Sequence, residues 1–168
     1  MKPSNHTALD LFPGACLDKI SRFLRNNNET LAVAESVTSG WLQAAFSSAD
    51  KAIEFYQGGI TAYNVAQKYR HLDVEPIHAL ARNAVSEKVA TEMALHVCWL
   101  FTSDWGIGVT GYASPVAESG QELFAYYAVA SRGEIRKAER LSALPGGSLK
   151  VQLLYCNSIL ESLAGLMG

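Results

Sequence analysis

The sequence predicts a three-layer α/β/α single domain built on a mixed sheet. Three observations carry that expectation. The chain has 168 residues, the size of one ordinary domain, and 49% of them are hydrophobic against 18% charged, enough to build a core. Short runs of β-formers alternate with segments of helical spacing as far as Thr110, the pattern of strands joined by crossover helices. Two further β runs then follow one another directly, which adds an antiparallel pair to the sheet.

In chain order, residues 1–16 read as an extension and residues 17–168 as the domain. Leu17, Ile20, Phe23 and Leu24 recur at helical spacing, and Asn26-Asn27-Asn28 closes that helix. Thr30 to Ala34 suits a buried strand. Ser39 to Ser47 reads as a helix that Thr38 or Ser39 can cap. Glu54 to Tyr63 is a β run in which Gly58 and Gly59 signal a bulge or a close backbone approach. Asn64 to His71 looks helical, and Ser86 to Leu100 is the plainest helix, with Ser86 as its cap. Trp105 to Thr110 reads as a buried strand. Leu123 to Ala130 and Ile135 to Leu141 form a hairpin about Ser131-Arg132-Gly133. Pro145-Gly146-Gly147 breaks the chain before a last helix, Ser148 to Leu166.

Fourteen basic against sixteen acidic residues leave a net charge of -2, so nothing in the balance attracts nucleic acid or an anionic membrane. No apolar run approaches the roughly 18–20 residues that span a bilayer. Three separated cysteines, Cys16, Cys98 and Cys156, read as reduced thiols. With no secretion signal at the start, the expected address is cytoplasmic.

Chemistry has three candidate positions. Ala34-Glu35-Ser36-Val37-Thr38-Ser39-Gly40 lies where a strand hands over to a helix. Free N–H groups and the helix dipole there can hold a phosphate or an oxyanion, and Ser36 can be a nucleophile if a base is near. The same serines and threonine can equally be simple caps. Gly58-Gly59-Ile60-Thr61-Ala62-Tyr63 is followed by Lys68, and a buried neutral lysine, or a tyrosine bridging to it, can take a serine proton. A packed tyrosine and a solvated lysine fit the same residues. Gly106 to Gly111 is a literal GxGxxG, but its first glycines fall within a strand and no helix starts after it, which rejects a dinucleotide site. Thr110-Gly111 then reads as a loop lining a site. The four histidines show no metal-ligand spacing, and His96 reads as packed or surface. Glu35, Asp50 and Glu54 form no carboxylate pair; Glu35, beside Ser36, can orient the turn.

Together these segments resemble the C-terminal domain of the competence/damage-inducible CinA family. That family runs AESCTGG, GG-x3-Y, a lysine five residues on, GAVS and TGIAGP. The counterparts here are AESVTSG from Ala34, GGITAY from Gly58, Lys68, NAVS from Asn83 and TGYASP from Thr110, over roughly Leu17 to Leu166. The resemblance implies a nicotinamide-nucleotide amidase. Such an enzyme converts nicotinamide mononucleotide to nicotinic acid mononucleotide and ammonia, needs no cofactor or metal, and acts as a homo-oligomer. It makes Ser36 the nucleophile, with Tyr63 and Lys68 as its activating pair. The surrounding motif positions, Glu35, Thr38, Ser39, Gly40, Gly58, Gly59, Thr110 and Gly111, are then expected to meet the substrate.

The departures are specific. Val37 and Ser39 replace a cysteine and a glycine. Ala113 to Gly120 is a shorter, glycine-poor loop carrying Glu118. The family's GDR motif is matched by Gly146-Gly147-Ser148, without the arginine; Lys150 is the nearby cation. They leave two other readings: an amidase with another substrate, and a paralogue that binds a ligand or protein without turnover.

Overall fold

The computed structural model describes residues 11–167, in the order α1 (Gly14–Asn27), β1 (Leu31–Glu35), α2 (Trp41–Ser48), β2 (Tyr56–Thr61), α3 (Val65–Leu72), α4 (Pro76–Ala81), α5 (Glu87–Phe101), β3 (Trp105–Gly111), β4 (Leu123–Ser131), β5 (Glu134–Ala143) and α6 (Ser148–Leu166). The strands lie in the order β2-β1-β3-β4-β5. β1 pairs parallel with β2 and β3, while β3-β4 and β4-β5 are antiparallel, so the sheet is mixed. No described helix is long and apolar enough to cross a membrane.

Strand alternation sorts the two faces by side-chain size. Leu31, Val33, Ile107, Val109, Tyr127 and Val129 point to one face, into a core completed by Ile20 and Leu24 of α1, Phe46 of α2 and Tyr155 and Ile159 of α6. The opposite face carries small residues in rows across three strands, Ala32-Gly106-Ala130 and Ala34-Gly108-Ala128. α5 lies on those rows, with α3 and α4 beside it. A Cβ on Gly106 would stand 2.2 Å from the Ala94 carbonyl oxygen, and one on Gly108 would stand 2.3 Å from that of Ala90. The GxG of the sequence therefore seats a helix against a strand and leaves no room for a cofactor.

Turn chemistry follows local rules. Arg132 (φ 54°) and Gly133 (φ 77°) form the two-residue hairpin loop, both left-handed as a tight turn with matching twist requires. The two glycines of β2 do what their spacing signals. The register slips between Leu31/Ala32 and Tyr56/Gly58, and a Cβ on Gly59 would stand 2.6 Å from Val33 Cγ2.

Several expectations need correction. α1 begins at Gly14. β2 begins at Tyr56, because Ala52–Glu54 forms a 3-10 turn. α4 was not anticipated: six residues are too short for a periodic signal, yet Pro76 starts it and the Glu75 carboxylate accepts from Ile77 and His78 N–H, both at 2.8 Å. Neither Thr38 nor Ser39 caps α2. The helix starts at Trp41, and the side chain that caps it is Glu35.

Candidate active site

The site forms at the carboxyl ends of the parallel strands, the usual position for a ligand in an open α/β sheet. A cavity of about 460 Å³ opens there, within the ~300–1,000 Å³ range of small-molecule sites. Ser36, just beyond β1, lines it and is 6% exposed. Lys68 comes from α3, which starts where Asn64 accepts a hydrogen bond from Gln67 N–H at 3.0 Å. That change from strand to helix brings the two ends of the Tyr63–Lys68 segment together.

Lys68 Nζ donates to Ser36 Oγ at 2.8 Å and to the Tyr63 carbonyl at 3.3 Å. The lysine is 2% exposed and forms no ion pair among the described residues. Burial penalises its charged form and lowers its pKa from 10.5 to about 8. A lysine in that range is available as a neutral base near neutral pH. Tyr63 reaches the pair through its backbone. Its side chain lines the cavity, is 77% exposed, and its hydroxyl has no partner among the described residues.

Thr110 and Gly111, at the end of β3, also line the cavity. Thr110 is buried and donates to the Ala84 carbonyl at 2.7 Å. This bond holds the wall formed by Asn83 (φ 51°) and Ala84 (φ 56°), two successive left-handed residues without glycine. Asn83 Nδ2 donates in turn to the Tyr112 hydroxyl at 3.2 Å, joining that wall to the loop after β3.

The other sequence-predicted positions lie outside the cavity lining: Glu35, Thr38, Ser39, Gly40, Gly58 and Gly59. Glu35 is fully buried, and its carboxylate accepts from Gly40 N–H (3.1 Å), Leu42 N–H (3.1 Å) and Gln43 N–H (2.9 Å). With Trp41 N–H bonded to the Thr38 carbonyl, the N-terminus of α2 has no donor left for an oxyanion or a phosphate. Val37, next to Ser36, is buried and also lines the cavity. Ser39 is left-handed (φ 53°) in a turn that continues through Gly40 (φ 105°).

Sequence reasoning missed Tyr112, Ser148 and Gln152 as lining residues. Ser148 and Gln152 arrive from α6, and their polar i, i+4 spacing on an apolar helix was the signal available. Glu118 and Lys150 are not in the lining. Among the described residues no group of three His, Cys, Asp or Glu side chains is close enough to hold a metal ion.

The profile of the CinA C-terminal domain family matches residues 15–167. A CinA-like protein of Prochlorococcus marinus is 38% identical over 142 residues, covering 72% of this chain and 33% of its own length. One from a Picosynechococcus strain is 46% identical over 99 residues, covering 59% of this chain and 24% of its own. The chain thus spans a third or less of these relatives. Among solved structures, the competence-damaged protein (CinA) superfamily protein from Enterobacter cloacae superposes with a TM-score of 0.87 at 25% identity, over 100% of this chain and 99% of that one. Its counterpart from Klebsiella pneumoniae superposes with a TM-score of 0.85 at 26% identity, over 92% and 96%.

Proposed function

The chain belongs to the CinA family, and on that premise we propose that Ser36 and Lys68 are the nucleophile and base of an amidohydrolase, with nicotinamide mononucleotide the substrate that the family resemblance implies. The observation carrying this reading is the 2.8 Å contact between a buried serine hydroxyl and a buried lysine of lowered pKa, on the wall of a ligand-sized cavity.

The chemistry follows from the geometry. Neutral Lys68 donates one N–H to the Tyr63 carbonyl, which leaves its lone pair for the Ser36 proton. Ser36 Oγ attacks the carboxamide carbon, and a tetrahedral oxyanion forms. Protonated Lys68 returns its proton to the departing nitrogen, and ammonia leaves an acyl ester on Ser36. Water then attacks that ester with Lys68 again as base, releasing the acid. A pyridinium cation in the substrate would further favour the neutral amine. The free cysteines fit a reducing cytoplasm.

Ammonia release from nicotinamide mononucleotide tests the proposal: turnover by the wild type that is lost in Ser36→Ala supports it, and turnover that survives the substitution refutes it. One observation favours a second reading, an amidase for a different carboxamide: Lys68 is the single charged side chain in the lining among the described residues.

A further inference from the structure

Tyr112 follows Thr110 and Gly111 at the end of β3 and lines the same cavity as Ser36 and Lys68. Four contacts fix it. Its backbone N–H donates to the Phe124 carbonyl at 2.8 Å, and its own carbonyl accepts from the Tyr155 hydroxyl at 3.1 Å. Its ring meets that of Phe124 edge to face, with centroids 5.3 Å apart. Its hydroxyl oxygen accepts from Asn83 Nδ2 at 3.2 Å.

One group is left unused. A phenol can donate a hydrogen bond as well as accept one, and among the described residues Tyr112 Oη donates none. The bond it accepts from Asn83 polarises the O–H and makes it a better donor. Asn83 stands on a left-handed backbone (φ 51°), next to Ala84, whose carbonyl Thr110 anchors. A ligand therefore meets a hydroxyl already in place, with little side-chain freedom left to lose. Tyr155 shares a face of α6 with Ser148 and Gln152, which line the cavity, so Tyr112 is tied to the α6 side of the site. The N-terminus of α6 has no side-chain cap and favours the same kind of ligand atom, an electron-rich oxygen.

We propose that Tyr112 is a specificity-determining residue that donates its hydroxyl proton to an acceptor oxygen on the group bearing the carboxamide, either a sugar oxygen or a phosphoryl oxygen, and that Asn83 is its positioning residue. The proposal rests on the amidohydrolase reading of Ser36 and Lys68 for its substrate. Tyr112 takes no part in the bond-making at Ser36.

Tyr112→Phe removes the hydroxyl and keeps the ring on Phe124. Ammonia release should show KM raised about fivefold or more, with kcat within about twofold. Nicotinamide riboside and nicotinamide mononucleotide differ by the phosphate alone and separate the two acceptors. A loss with the riboside places the contact on the sugar. A loss confined to the mononucleotide, of about tenfold or more for a charged acceptor, places it on the phosphate. Asn83→Gly suits the left-handed backbone and should raise KM in the wild type but no further in Tyr112→Phe, a coupling that a merely structural role would not produce. KM unmoved with both probes, or a loss confined to kcat, overturns the proposal, and losses that multiply in the double variant remove Asn83 from it. Calorimetric binding to Ser36→Ala, with and without Tyr112→Phe, separates this proposal from the amidohydrolase reading. Binding weakened by Tyr112→Phe, with no ammonia from the wild type, removes the amidohydrolase and leaves the Tyr112 contact standing. Equal binding to both variants, or no binding of either probe, removes the contact.

Discussion

Lys68 Nζ lies 2.8 Å from Ser36 Oγ, and both side chains are buried. The burial that makes the lysine usable as a base also destabilises its charged form. If Lys68 is the base, kcat/KM for carboxamide hydrolysis should rise with pH and level off above a midpoint near 8, the value to which burial brings the lysine. A profile flat from pH 6 to 9 would exclude this role.

The same burial predicts a stability effect of definite sign. Lys68 titrates at 10.5 unfolded and about 8 folded, so between those values the unfolded chain holds the extra proton and stability rises with pH. Below that window the penalty is fully present, about 3 kcal/mol at ~1.4 kcal/mol per pH unit. Lys68→Met, which loses the hydrogen bond to Ser36 but fills the space, should stabilise the fold by about 1–3 kcal/mol at pH 7. The gain should shrink toward zero by pH 10.5, as urea unfolding at several pH values would show.

Glu35 caps α2 from inside the fold. Removing its carboxylate leaves three N–H groups without partners. Glu35→Ala should cost about 3 kcal/mol. Glu35→Gln should cost about 2, because its amide keeps a single acceptor oxygen. Urea midpoints at constant m-value check both.

The small-residue rows under α5 predict that Gly108→Ala costs about 3 kcal/mol or more, since its Cβ would meet backbone atoms of Ala90 and Ala94 that cannot rotate away. By contrast, Ser39→Gly should stabilise the fold by about 0.5–1 kcal/mol by relieving a left-handed serine at an exposed turn. Thermal unfolding of both variants would show the opposite signs.

The layers of the fold were legible because β1, β3 and β4 carry continuous apolar runs, and because α5 and α6 are long enough to show helical spacing. The capping of α2 was not, since Glu35 reaches across a turn to N–H groups five to eight residues on, a contact with no short-range pattern. Within the site, Ser36, Lys68 and Thr110 could be picked out by residue type and motif. The left-handed Asn83–Ala84 wall could not, because neither residue signals positive φ as glycine would. Ser148 and Gln152 depend on where α6 packs, more than 30 residues after β3 ends.

The most direct test of the Ser36–Lys68 unit is a double-mutant comparison of ammonia release from nicotinamide riboside and mononucleotide by Ser36→Ala, Lys68→Met and the doubly substituted protein. Residues that act as one nucleophile–base unit lose activity together. Each single substitution should cut kcat by about a thousandfold or more, and the double should be no worse than either. A Lys68→Met protein that keeps its activity, or losses that multiply in the double variant, would contradict the account.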